Sequence, residues 1–290
     1  MKTKKLFAAA LIFALALSAC SNDDETTNLR DEVKITATIG SVTDNLTRAT
    51  FENDGSGEFQ AGDEYTLFYL SPTLGVGGSF PYEIGRTTLY WDEISRDGNP
   101  IDFLAWYPVY VFSGSLTQPY KVAGAATEAT KDLLMAPKVT VAKNNTVNLQ
   151  FGHVMHKLVV ALGSNYYTAA DLESSSITIK NLKSNAMIDF INGVVDETAA
   201  TGTDPYPSAT GSFVEFIVAP QTLTAGTEII EILIEGKTFS YKIPATLTVL
   251  ESGKQLKLML MLTRYGVELQ TGSIAPWGNQ DAITDEIIFK

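Results

Sequence analysis

A single cysteine and two histidines are spread over 290 residues. With only Cys20 available the chain has no internal disulfide, and once that sulfur is modified no thiolate metal site or cysteine nucleophile remains. Basic residues are also short, 21 against 33 acidic, for a net charge of −12. Such a surface repels phosphates, which argues against nucleic acid and against docking on anionic headgroups. No stretch carries an apolar helical stripe of a dozen residues; Ala169 to Ser174 offers one turn at most. There is no G-x-S-x-G elbow. Gly236-Lys237-Thr238 resembles the end of a phosphate loop, but Glu231 stands where its first glycine is needed and its flanks read as strands. No spacing singles out a carboxylate pair, because such pairs are made by the fold. The chain is therefore expected to have no catalytic residues, no metal and no cofactor.

What is present begins at the amino terminus. Lys2, Lys4 and Lys5 precede the apolar run Leu6 to Leu17, and Ser18-Ala19 ends directly at Cys20. This is the arrangement of a lipoprotein signal peptide, too short in its apolar part to span a bilayer. It predicts acylation of the Cys20 sulfur and of the amine freed by cleavage, and several acyl chains anchor stably where one is marginal. Loss of the three lysines takes the basic count from 21 to 18 and the net charge from −12 to −15. Ser21 to Asn28 is polar and acidic and reads as a solvated tether. The remaining chain, 45% hydrophobic and 10% aromatic overall, is globular and long enough for one large or two smaller cores.

From Val33 the dominant signal is alternation. Val33, Ile35, Ala37 and Ile39 are apolar, and Lys34, Thr36 and Thr38 lie between them, the pattern of a half-buried strand. Further strands are expected at Glu64–Leu70, Thr87–Trp91, Ile101–Phe112, Lys138–Ala142, Thr146–Leu162, Ser176–Leu182, Met187–Val195 and Phe213–Val218. Glu228–Ile234, Thr238–Ile243, Gln255–Leu262 and Glu286–Phe289 complete the series. Turn residues such as Asp54-Gly55, Asn192-Gly193 and Glu235-Gly236 punctuate it. About a dozen one-sided strands exceed one ordinary sandwich, so an all-β chain of two sandwiches with a seam near Gly163-Ser164-Asn165 is predicted.

Several motifs recur in a characteristic order. They are Thr47-Arg48-Ala49-Thr50, Gly62-Asp63-Glu64-Tyr65, Asp102-Phe103-Leu104-Ala105-Trp106-Tyr107-Pro108, Lys131 to Ala136, Leu149 to Leu158, and finally Ile274-Ala275-Pro276-Trp277. In this order the chain resembles the fimbrillin-like proteins of Bacteroidota, subunits of type V pili. The resemblance implies two tandem transthyretin-like β-sandwich domains. It also implies surface export as an outer-membrane lipoprotein, cleavage by an arginine-specific protease after the first strand, and polymerisation with other fimbrial subunits by donor-strand exchange in support of adhesion. Some members of the family keep their lipid and serve as anchors, and a carbohydrate-binding surface lipoprotein is a further alternative. Residues 1–19 are then the signal peptide, 20–32 the tether, 33–163 the N-terminal sandwich with a removable first strand at 33–42, and 164–290 the C-terminal sandwich with a candidate donor strand at 281–290.

The residues are compatible with that scheme. Arg48-Ala49 sits in a polar stretch, where proteases cut most readily. Loss of the Val33–Ile39 strand would bare unpaired backbone groups beside an apolar slot, a template for strand addition. In the tail, Ile283, Ile287 and Phe289 share one face, which makes a usable though short donor; an ordinary edge strand is the equal alternative. His153 and His156 stand three apart, so on one strand they would face opposite sides and are read as hydrogen-bonded core or interface histidines rather than ligands. Trp91, Trp106, Trp277, Tyr107, Tyr110 and Tyr120 are read as core rather than as a sugar platform. Asp63, Asp97 and Asp204 are read as turn residues.

Overall fold

The computed structural model describes residues 30–40, 57–109, 115–123 and 132–276. The described residues from Asp31 onward form one compact unit. In chain order the elements are β1 (Ile35–Ile39), β2 (Gly57–Glu58), β3 (Glu64–Ser71), β4 (Val76–Glu83), α1 (Trp91–Ile94), β5 (Ile101–Tyr107), β6 (Thr117–Lys121) and β7 (Leu134–Val141). Then come β8 (Val147–His153), β9 (His156–Ser164), α2 (Ala169–Glu173), β10 (Ser176–Ile179), β11 (Asn185–Asp189), β12 (Val194–Thr201), β13 (Ala209–Thr210) and β14 (Phe213–Val218). The series closes with β15 (Gln221–Thr222), β16 (Glu228–Ile234), β17 (Lys237–Lys242), β18 (Val249–Leu250), β19 (Lys254–Leu262) and β20 (Val267–Pro276). The protein is all-β, as the alternation predicts, and the two helices among the described residues are single turns.

Seven strands form one sheet in the order β2-β1-β8-β7-β5-β3-β4. β7 and β8 share only the pairs Leu134↔His153 and Met135↔Gly152, so the sheet turns a corner there. The second half contains two four-stranded sheets, β14-β9-β19-β20 and β13-β10-β16-β17, together with the three-stranded β12-β11-β6. Two hydrophobic clusters result. The first collects Val33, Ile39, Tyr65, Leu67, Trp91, Phe103, Val147, Leu149 and Phe151. The second runs from Leu104 and Trp106 to Leu262.

β5 is the wall between them. Ile101, Phe103 and Ala105 enter the first cluster, while the alternate residues Leu104 and Trp106 enter the second. Trp106 meets Phe190 edge to face with centroids 5.3 Å apart. β6 crosses further, pairing along its whole length with β11, so a strand from early in the chain completes a later sheet. The predicted seam at Gly163-Ser164-Asn165 coincides with the end of β9, whereas the chain changes sheets earlier, at Val154-Met155.

Several boundaries differ from expectation. The run Thr146–Leu162 is two strands, β8 and β9, belonging to different sheets. Thr87–Trp91 is not a strand: Tyr90 makes one bridge to Glu32, and Trp91 opens α1. Met187–Val195 is split into β11 and β12 by the turn at Asn192-Gly193, whose glycine has φ 65°. β4, β6 and β20 are additional, as are the two-residue strands β2, β13, β15 and β18. β4 contains Gly77, Gly78 and Pro81, and a Cβ on Gly77 would run into the Tyr69 carbonyl, so an edge strand is built from residues that weaken the strand signal.

Candidate functional site

β1 is the element that the alternation singles out, and it holds an unusual position. It runs parallel to β8, Ile35 to Ile39 beside Val147 to Phe151. On its other flank β2 adds only Thr38↔Glu58 and Ile39↔Gly57. Parallel neighbours cannot be joined by a tight hairpin, so β1 is tied to β8 by hydrogen bonds and packing rather than by local chain connection. Val147 N–H donates to the Lys34 carbonyl at 2.8 Å and Gly40 N–H to the Phe151 carbonyl at 2.9 Å, closing the two ends of the pairing. Upstream, Val33 N–H donates to the Leu89 carbonyl and Trp91 N–H to the Asp31 carbonyl.

The side chains follow the predicted alternation. Val33 and Ile39 are buried, Ile35 and Ala37 half-buried, and Lys34, Thr36 and Thr38 exposed. Beside them in register lie Val147, Leu149 and Phe151 of β8, all buried in the first cluster. The slot ends on an aromatic group: Phe59 packs against Phe151 at 4.8 Å and Tyr65 at 5.5 Å, and Tyr65 stacks on Tyr82 at 5.3 Å. Burial raises the pKa of the Tyr65 and Tyr82 phenols above the ordinary tyrosine value, keeping both neutral beside the slot. Emptying the slot would expose about 1.5–3 kcal/mol of hydrophobic stabilisation per fully buried side chain, together with a row of β8 backbone groups.

Cys20, Arg48, Ala49, Ile283, Ile287 and Phe289 lie outside the described residues, as do Tyr110 and Trp277. The described aromatics read as core are mostly so: Trp91, Trp106 and Tyr120 are buried and Tyr107 half-buried. Exposed aromatics that the sequence did not single out stand elsewhere, at Tyr166, Phe213 and Tyr265. Two of the three turn aspartates serve local bonds, Asp63 accepting from Gln60 N–H and Asp97 from Asn99 N–H, whereas Asp204 pairs with Lys121, distant in sequence.

The histidines stand on opposite sides of the Val154-Met155 break. His153 Nδ1 lies 2.7 Å from an Asp132 carboxylate oxygen. His156 is buried, and its Nδ1–H donates to the Glu251 carbonyl at 2.9 Å. Its Nε2 is then a buried acceptor with no partner. Burial pushes its pKa down to about 4. Among the described residues no group of three His, Cys, Asp or Glu side chains could hold a metal ion, and no helix is long and apolar enough to cross a membrane.

A family model described as fimbrillin-like matches residues 22–277. No curated protein matches the chain. Among solved structures, it resembles a candidate cell adhesion protein of Bacteroides uniformis at 21% identity and a TM-score of 0.63, over 85% of this chain and 99% of that one. A candidate cell adhesion protein of Bacteroides ovatus is similar at 17% identity and a TM-score of 0.60, over 87% and 99% of the two chains. One from Bacteroides thetaiotaomicron follows at 18% and 0.51, over 80% and 93%. At these identities the likeness is one of fold.

Proposed function

Because this chain belongs to the fimbrillin-like family, we propose that it is a structural subunit of a cell-surface fimbria, assembled by exchange of β1 for a strand of the neighbouring subunit. The observation that carries the reading is β1 itself, paired over its whole length with β8 and at only two residues with β2, its alternate side chains packed into the first cluster. A strand that brings the same alternation can replace it, since backbone bonds supply affinity and alternate side chains supply register.

In this scheme Cys20 carries the lipid that delivers the chain to the outer surface. An arginine-specific protease cuts Arg48-Ala49, and β1 leaves with the lipid. The slot then takes a donor, for which the tail residues Ile283, Ile287 and Phe289 have the required spacing. The two clusters correspond to two tandem sandwiches, one accepting and one donating. The partners are other fimbrial subunits, the chemistry is assembly rather than catalysis, and the result is an adhesive fibre.

The test is limited trypsin treatment of the Ser21–Lys290 protein, followed by N-terminal sequencing and unboiled SDS gels. A new terminus at Ala49 with a ladder of high-mass species is the expected outcome. Resistance at Arg48, or a cut chain that stays monomeric, would sink polymerisation by this route and leave a lipid-retaining anchor or carbohydrate-binding lipoprotein as the role.

A further inference from the structure

The parallel pairing of β9 and β19 brings their carboxyl ends together, Leu262 beside Ser164. Two loops therefore emerge at the same end of the second cluster, Asn165-Tyr166-Tyr167 after β9 and Thr263 to Gly266 before β20. The tight turn Glu235-Gly236, with φ 46° and 71°, delivers Lys237 to the same place. There Lys237 Nζ lies 5.2 Å from the Tyr166 ring centre, and the Arg264 guanidinium carbon lies 6.0 Å from Tyr166 and 5.6 Å from Tyr265. Tyr166 meets Tyr167 edge to face at 4.9 Å.

Neither cation has an ion-pair partner among the described residues, although acidic side chains outnumber basic ones 33 to 21 in the chain. Tyr265 is 87% exposed and Tyr166 49% exposed, so neither is placed there by core packing. The loops are nevertheless fixed. Ser164 Oγ donates to the Leu262 carbonyl at 2.7 Å and accepts from the N–H groups of Tyr166 and Tyr167, each at 2.9 Å. Thr263 Oγ1 accepts from Gly266 N–H at 3.0 Å and Tyr265 N–H at 3.3 Å. Thr168 and Asp171 close a reciprocal capping box directly after Tyr167, which commits the Asp171 carboxylate locally.

We propose that Lys237, Tyr166, Arg264 and Tyr265 form a binding site for a glycan ending in a carboxylated sugar of the uronic acid type. The apolar face of the sugar ring lies on Tyr265, and its carboxylate takes the planar fork of Arg264 with Lys237 behind it. The guanidinium over the rings is oriented before the ligand arrives, so less freedom is lost on binding. Aromatics interleaved with cations could also receive single-stranded nucleic acid. The net charge of −12 opposes a polyanion and is tolerant of a ligand with one terminal carboxylate. The site lies on loops of the second cluster and does not rest on strand exchange at β1.

Calorimetric titration of the Ser21–Lys290 protein with a glucuronate-terminated oligosaccharide tests this, with the glucose-terminated equivalent as control. Saturable binding is expected for the acidic probe, about tenfold tighter than for the neutral one, with Arg264→Gln and Tyr265→Ala each weakening it about tenfold. Both side chains are exposed, so circular dichroism should show folded variants, and if one fails to fold the other decides. Absence of saturable binding, equal affinity for the two probes, or unchanged affinity in the variants overturns the site. Tighter binding of a short single-stranded oligonucleotide overturns the ligand class. Any of these leaves the fibre proposal standing.

Discussion

Two strands in this protein run parallel to their neighbours among the described residues, and they are held very differently. β1 lies beside β8 over five register pairs and has two pairs on its other flank. β19 lies beside β9 over eight pairs and is closed on its other side by the whole of β20. β1 offers one buried and two half-buried side chains, with Val33 buried just upstream, whereas Leu256, Leu258, Leu260 and Leu262 of β19 are all buried. The same topological device is thus marginal in one half and locked in the other. Length and the second flank, not the parallel direction of pairing, decide how firmly a strand is held.

Amide exchange should draw the contrast most sharply. β1 opens locally while β19 exchanges only when the second cluster unfolds, so protection is expected to differ on the order of a thousandfold. Equal protection would break the comparison. Leu260→Ala, in a fully buried position, should lower stability by about 3 kcal/mol in urea denaturation.

Acid should act on the second half too. The folded-state pKa of His156, about 4, lies below its unfolded value of about 6.5, so as pH falls the unfolded chain takes the proton first. Stability is full above about pH 6.5 and falls by about 3 kcal/mol on the way to about pH 4. His156→Gln should remove that slope; if wild type and variant show the same pH profile, the buried Nε2 is not the acid-sensitive group. Ile35→Ala, half-buried on β1, should cost only about 1 kcal/mol and leave β19 protection untouched. A loss as large as that at Leu260 would show the two strands to be equally anchored.

How much of this could be read from the chain follows the same division. β1 was legible because its apolar face alternates without interruption over Val33, Ile35, Ala37 and Ile39. Phe213–Val218 and Glu228–Ile234 were legible to the residue, as rows of β-branched and aromatic side chains ending in turns. β6 was not, because Thr-Gln-Pro-Tyr-Lys is polar and carries a proline, and its strand character comes from β11 far along the chain. β8 and β9 merged in the sequence because both are apolar and the break at Val154-Met155 has no glycine or proline. The exposed cluster around Arg264 was hidden for another reason. Its four side chains come from two loops and the first residue of β17, and only the parallel register of β9 and β19 brings the two loops together.

The crossing of β6 has a consequence for how the protein is made. During synthesis the first half of the chain emerges before the second, yet β6 finds its partner only when Asn185 to Asp189 has appeared, and β11 itself is flanked by β12 on its other side. The first half therefore cannot finish folding on its own schedule, and must wait, with Trp106 uncovered, for residues up to Phe190 to arrive. A gene cut between the halves would yield two fragments that each lack part of a sheet. The two cores are inherited and folded as one.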